Sequence, residues 1–244
     1  SGYYVFWQDD LAASRTAAPT DAAATPDIGR QPVFVAAAAN RSRAPWRRYE
    51  ALTCLLDALT DEFLFVNLGD PCKEVCDIRD RDETFYMLGS MGLVTPLGLG
   101  FAQAYRDLGG ERKTVAVDGD GSQLMQMGSL GTFAREQPDL ALIIVDNSSY
   151  GSTGDQPTLT GTHVDLEGVV RALGLRNTAT VGHPQAFEDR LSQVLSMPGP
   201  SVTVVRVQPG APATSLVPFT PYEIAERFQI AAGAADLSLA AVAD

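Results

Sequence analysis

Two short segments of this chain carry oxygen-rich side chains at a spacing that suits a metal ion. Asp118-Gly119-Asp120-Gly121-Ser122 follows an apolar run at 114–117, and Asn147 follows a second one at 140–145, so two loops at neighbouring strand ends can face one site. In open α/β sheets the ligand crevice lies beyond the carboxyl ends of the strands. Asp120 and Asn147 offer hard oxygen atoms of the kind that hold magnesium, while Gly119 and Gly121 let the backbone come close to phosphate oxygens. The chemistry implied is a metal ion gripping a diphosphate. An EF-hand is excluded, because counting from Asp118 puts Gln123 where the glycine belongs and Ser129 where the glutamate belongs. A lone Gly-Asp-Gly is more often a surface turn. Here its place between a buried-type strand and a helix, upstream of a second strand ending in Asp146-Asn147, favours a site.

The elements that must position these loops follow from the alternation of apolar runs. Helices are expected at about 47–59, 92–105, 122–135, 165–173 and 184–195, and strands at 63–67, 114–117, 140–145, near 178 and at 201–207. Such alternation predicts βαβ units around a parallel sheet with helices on both faces, an α/β fold. A last helix follows Pro218 and includes 224–228, and the alanine-rich end is expected to fray. Ahead of the first helix, 12–26 reads as linker, and Tyr3-Tyr4-Val5-Phe6-Trp7 is a short strand candidate. The chain is thus divided into 1–46, an N-terminal strand and linker; 47–210, the diphosphate-binding domain; and 211–244, a helix and tail.

At 244 residues, 45% hydrophobic and 20% charged, the chain can bury a sizeable core. No apolar run approaches the roughly 18 residues needed to cross a bilayer, and nothing near the N-terminus reads as a secretory signal. A net charge of -12 argues against nucleic acid and anionic membrane as partners. It also means that any bound anion needs local neutralisation by a metal or by basic groups. Cys54, Cys72 and Cys76 form no Cys-x-x-Cys pair and read as reduced cytoplasmic thiols, with Cys72 and Cys76 on one helical face as core residues. Arg41, Arg43, Arg47 and Arg48 could neutralise an anion, but a solvated linker and helix start is the favoured reading. His183 before Pro184 reads as a helix start, and no partner for His163 is visible.

Gly119-Asp120-Gly121-Ser122 through Asn147 resembles the thiamine diphosphate signature. Phe85-Tyr86-Met87-Leu88-Gly89-Ser90-Met91-Gly92 and Tyr150-Gly151-Ser152-Thr153-Gly154-Asp155-Gln156-Pro157-Thr158 are similar to the sulfopyruvate and phosphonopyruvate decarboxylases, and the likeness runs from about 48 to 228. The resemblance implies the diphosphate-binding domain of the thiamine diphosphate fold. It implies Mg2+ held by the carboxylate of Asp120, the side-chain oxygen of Asn147 and the main-chain carbonyl of Ser149. Gly121 and Ser122 would donate to phosphate oxygens, with Gly119 and Gly151 in the same cofactor-binding set. Met91 would wedge between the two rings of the cofactor. The neighbouring Gly89 carbonyl would accept a hydrogen bond from the aminopyrimidine, with Ser90 between them. Gly69 and Asp70 would line the pocket, an ordinary strand-end turn being the alternative.

For the substrate, the resemblance points to the 150–158 loop, where Ser152, Thr153 and Gln156 could donate to a sulfonate or phosphonate. Loops of this kind more often serve only as a lid over the cofactor. The reaction implied is decarboxylation of a three-carbon anionic 2-oxo acid, with sulfopyruvate giving sulfoacetaldehyde preferred over phosphonopyruvate. No arginine lies in the 150–158 loop to meet the extra charge of a phosphonate. None of Glu50, Glu62, Glu74 and Glu83 can be assigned as the glutamate that activates the cofactor. The family's pyrimidine-binding half supplies it, so a hetero-oligomer with a pyrimidine-binding subunit or domain is expected. Residues 3–7 could then be the closing strand of such a domain or a leader strand. A thiamine diphosphate carboligase and a non-catalytic cofactor-binding subunit are the alternative readings.

Overall fold

A computed structural model describes residues 44–233. The strand expected at 3–7, the linker at 12–26, Arg41, Arg43 and the tail from 234 onward lie outside the described residues. In chain order the elements are α1 (Arg48–Ala58), β1 (Phe63–Val66), α2 (Asp70–Arg79), β2 (Thr84–Tyr86), α3 (Val94–Asp107), β3 (Thr114–Gly119), α4 (Asp120–Met125), α5 (Ser129–Glu136) and β4 (Leu140–Asp146). A two-stranded hairpin follows, β5 (Ser149–Tyr150) and β6 (Gln156–Pro157), then α6 (Leu166–Ala172), β7 (Thr178–Val181), α7 (Pro184–Ser196), β8 (Ser201–Arg206) and α8 (Pro221–Ala231).

Six strands form one sheet in the order β2-β1-β3-β4-β8-β7, with every pairing parallel. Parallel sheets are covered on both faces, so their central strands read as unbroken apolar runs. β4, Leu-Ala-Leu-Ile-Ile-Val-Asp, is buried at every position. Side chains alternate between the faces. Leu64, Val66, Val115 and Val117 pack against Leu52, Leu55 and Leu56 of α1, Val75 of α2 and Phe187 and Leu191 of α7. Phe63, Phe65, Ala116 and Leu142 pack on the other side against α3, α5, α6 and Phe228 of α8. That second face is aromatic: Phe63, Phe65, Phe85, Phe101 and Phe228 meet mostly edge to face at centroid separations of 4.9–5.6 Å.

The chain runs from β1 outward to β2, then returns to build the sheet on the other side of β1 from β3 onward. The order reverses between β1 and β3, and there the loops after the two strands diverge and open a crevice. At the other end of the described chain, Trp46 donates its indole N–H to the carbonyl of Arg206 at 3.0 Å, and Gln208 N–H donates to the Trp46 carbonyl at 2.8 Å. Ala44 and Trp46 are therefore part of the buried core.

Two expectations about elements are corrected. The helix expected over 122–135 is two, because Gln126 leaves helical geometry and the hydroxyl of Ser129 takes the Gln126 carbonyl at 2.7 Å, starting a new helix. The edge strand β2 was not expected. Three residues are too few to show alternation, and only pairing with β1 defines it.

Candidate active site

The sequence-expected loops meet at that crevice. A cavity of about 150 Å³ is lined by Asn67 and Leu68 after β1, by Gly119, Asp120, Gly121 and Ser122 after β3, and by Asn147, Ser149, Tyr150, Gly151, Ser152 and Thr153 after β4, with Met91, Arg48 and Pro71 closing it. Drug-sized ligands occupy pockets of about 300–1,000 Å³, so a cavity of this size has room for only part of such a ligand. Asp120 lines it and is buried, as are the neighbouring Asp118 and Asp146, and none of the three forms an ion pair among the described residues.

Hydroxyl groups solvate these carboxylates. Thr158 donates to Oδ2 of Asp120. The Thr160 hydroxyl lies 3.0 Å from the same oxygen and 2.8 Å from Oδ1 of Asp146, and its single hydrogen serves one at a time. Burial, and then the charge of Asp146, push the Asp120 carboxyl up to about 6, against the opposing pull of the threonine hydroxyls. Burial likewise pushes Asp118 up to about 6, although Gly119 N–H and the Thr95 hydroxyl reach it at 2.8 and 3.2 Å. Two acids raised by desolvation, with no cation beside them, describe a place short of positive charge.

Asn147 stands at the apex of a turn fixed by Asp146. Ser148 is left-handed, with φ 57°, and both its N–H and its hydroxyl donate to Oδ1 of Asp146, at 3.0 and 3.1 Å. The Asn147 side-chain oxygen accepts Ser149 N–H at 3.0 Å and keeps a second lone pair. Asp146 is thus committed to turn geometry, and Asp120 and Asn147 line the cavity from the ends of adjacent strands. Among the described residues no group of three or more His, Cys, Asp or Glu is placed to hold a metal. The ligand set expected from sequence contains one carboxylate, one amide oxygen and one main-chain carbonyl, which such a group would not describe.

The Met91 loop is tied to the clamp by one hydrogen bond, from Gly92 N–H to the Ser122 hydroxyl at 2.9 Å. Gly92 has φ +90°, and a Cβ there would stand 2.9 Å from Cβ of Gln126, so both conformation and space demand glycine. Met91 is half-buried and lines the cavity, whereas exposed Gly89 and Ser90 border a neighbouring opening beside Leu93, Leu97 and Pro221. Gly121 has a second reason to be glycine, since a Cβ would stand 2.3 Å from the Tyr150 ring.

The 150–158 loop is anchored at both ends and exposed between them. β5 and β6 pair, and Ser149 donates its hydroxyl to Asp155 at 2.9 Å. Ser152 and Thr153 line the cavity, and Ser152 Oγ accepts Asp70 N–H at 3.3 Å. That bond places Gly69 and Asp70 beside the cavity, and the would-be Cβ of Gly69, at φ +84°, would stand 2.7 Å from Ser152 Oγ. Gln156 is not among the lining residues, and its amide oxygen accepts the Thr153 hydroxyl at 3.4 Å.

Arg48 corrects the sequence expectation outright. Instead of lying in solvent at a helix start, it is buried against the cavity wall. Its Nε and Nη2 each donate to one oxygen of Glu74 at 2.8 Å, and Nη2 is 3.5 Å from Asp70. The sequence signal was present: Arg48 lies on the inward stripe of α1 with Leu52 and Leu55, and only its charge argued for solvent. Glu74 is thereby occupied, as are Glu50 on the N-terminus of α1, Glu62 on Thr60 N–H and Glu83 with Arg112. No glutamate lines the cavity.

Comparison with known proteins agrees with this geometry. Residues 75–205 match the family described as thiamine pyrophosphate enzyme, C-terminal TPP binding domain. The chain belongs to this family, in the branch of the sulfopyruvate and phosphonopyruvate decarboxylases. It is 41% identical to sulfopyruvate decarboxylase subunit beta of Methanococcus maripaludis, over 74% of this chain and 95% of that protein. It is 39% identical to sulfopyruvate decarboxylase of Methanosarcina acetivorans, over 75% of this chain and 46% of that one. It is 36% identical to phosphonopyruvate decarboxylase of Streptomyces viridochromogenes, over 78% of this chain and 47% of that one. The aligned region thus spans nearly all of a beta subunit and about half of the longer relatives. Among solved structures, benzoylformate decarboxylase from Polynucleobacter necessarius shares the fold, with a TM-score of 0.59 at 20% identity, over 69% of this chain and 34% of that one.

Proposed function

We propose that this chain is the diphosphate-binding half of a magnesium- and thiamine diphosphate-dependent decarboxylase that converts sulfopyruvate to sulfoacetaldehyde and carbon dioxide. One observation carries the reading: uncompensated Asp120, the amide oxygen of Asn147 and the glycine-lined start of α4 converge on one cavity at the β1/β3 reversal. The residues fit the cofactor. Asp120, Asn147 and the Ser149 carbonyl would hold the metal, which supplies the positive charge that the buried carboxylates lack. Gly119, Gly121, Ser122 and Gly151 would border the diphosphate, and Gly69 and Asp70 would flank it. When bound, thiamine diphosphate supplies the nucleophile and the electron sink for loss of carbon dioxide.

Met91 would support the cofactor rings where it enters the cavity, and Gly89 and Ser90 would face the pyrimidine side, towards the partner. Ser152 and Thr153 stand closest to the cavity mouth and would meet the substrate's anionic group; Gln156 would brace Thr153. No arginine lies in that loop, which favours a sulfonate over the more highly charged phosphonate. The activating glutamate would come from a pyrimidine-binding subunit or domain, making the active unit a hetero-oligomer. Free Cys54, Cys72 and Cys76 fit a reducing compartment, the cytoplasm.

The test is direct. The purified chain with magnesium and thiamine diphosphate should release no carbon dioxide from any 2-oxo acid, and mixing with the pyrimidine-binding partner should restore turnover. Robust decarboxylation by the single chain would overturn the shared site. On the assembled enzyme, a tenfold or greater preference in kcat/KM for phosphonopyruvate, about 1.4 kcal/mol of differential transition-state binding, would overturn the substrate.

A further inference from the structure

Among the described residues, Arg48 is the only cationic side chain that lines the clamp cavity. It is 6% exposed, and Glu74, which is fully buried, takes both its Nε and its Nη2. Nη1 is left with no hydrogen bond among the described residues. Buried guanidinium groups are ordinarily satisfied. A guanidinium that lines a cavity, fixed on one side by a buried glutamate and with one N–H edge left over, is placed to donate to a ligand.

We infer that Arg48 is a cofactor-binding residue whose Nη1 donates to the terminal phosphoryl group of the diphosphate. This rests on the thiamine diphosphate reading above. The electrostatics require such a group, because Asp118, Asp120 and Asp146 already crowd the site with carboxylates, and a single divalent metal cannot offset them and a diphosphate together. Glu74 fixes the guanidinium plane by a two-point contact, which leaves the remaining edge aimed without further loss of side-chain freedom. The cavity's small volume favours a phosphoryl terminus over a whole substrate as the occupant of this wall. Arg48 also lies 3.5 Å from Asp70, whose N–H reaches Ser152, so the terminal phosphoryl group and the 150–158 loop share one wall.

The test uses the assembled enzyme and calorimetric titration, with magnesium, of thiamine diphosphate and of thiamine monophosphate. Arg48→Met should weaken thiamine diphosphate at least tenfold and thiamine monophosphate less than threefold, with substrate KM at saturating cofactor changed less than twofold. Because Arg48→Met strands Glu74, the double variant Arg48→Met/Glu74→Leu removes both charges from the buried pair and keeps the fold testable; it should show the same selective loss. Arg48→Lys should recover only part of the affinity, since an ammonium lacks the fork. Unchanged thiamine diphosphate affinity in the double variant, equal losses for the two cofactors, or a raised KM with cofactor affinity intact would each overturn the inference. If the unaltered enzyme bound no thiamine diphosphate, the functional reading itself would fail instead.

Discussion

The two walls of the crevice handle buried charge in opposite ways. On the wall made by α1 and α2, Arg48 and Lys73 face Asp70 and Glu74, and each acid has a cation within 2.9 Å. On the wall made by the β3 and β4 loops, Asp118, Asp120 and Asp146 have only hydroxyls and backbone N–H groups. The first wall pairs its acids within the fold. The second has no cation among the described residues, and the metal proposed above would supply the charge it lacks.

The contrast breaks most sharply at Glu74. Glu74→Ala leaves a buried guanidinium uncompensated and should cost about 3–5 kcal/mol of folding stability, measured by denaturant titration. If stability were nearly unchanged, water would reach Arg48 and the wall would not be a closed one. Across the crevice, Asp120→Ala should cost little stability but lower cofactor and metal affinity on the order of 100-fold or more, about 3 kcal/mol, by calorimetry on the assembled enzyme. Asn147→Ala should behave similarly. Affinity equal to that of the unaltered enzyme would place the metal elsewhere.

Met91 lies between the walls and separates positioning from packing. Met91→Leu roughly conserves volume and should cost under about 1.5 kcal/mol, whereas Met91→Ala should lower kcat up to about 100-fold in enzyme that remains folded. A melted protein whose surviving fraction keeps full kcat would make Met91 core filler only.

The smallest effect is on pH. Asp118 and Asp120 are both raised to about 6 in the metal-free fold, so their neutral forms favour folding. That contribution is full below the unfolded carboxylate range, near pH 4, and is lost as pH rises through about 6. Metal-free protein should therefore melt a few degrees higher near pH 5 than near pH 7.5. Magnesium and thiamine diphosphate need the ionised acid and should reverse the order. Asp120→Asn should reduce the metal-free difference; an undiminished difference would assign it to other groups.

Much of this was readable from residue order. Alternating apolar runs specified a parallel α/β sheet because strands buried on both faces are mostly apolar, and the Asp120 and Asn147 loops were visible because each directly follows such a run. The break at Gln126 and the edge strand β2 were not readable, since both depend on what packs beside them rather than on local propensity.

By itself the sequence determined the sheet and the two oxygen-bearing loops, both of which depend on residue type and local period. Only the tertiary structure decided that Thr158 and Thr160 solvate the acids from 38 and 40 residues away, that Tyr150 fills the space over Gly121, and that Arg48 lies in the wall instead of in water. The physical reason is desolvation. Whether a charge is tolerated, paired or left waiting for a ligand depends on neighbours brought in by other strands, and a linear pattern does not contain them.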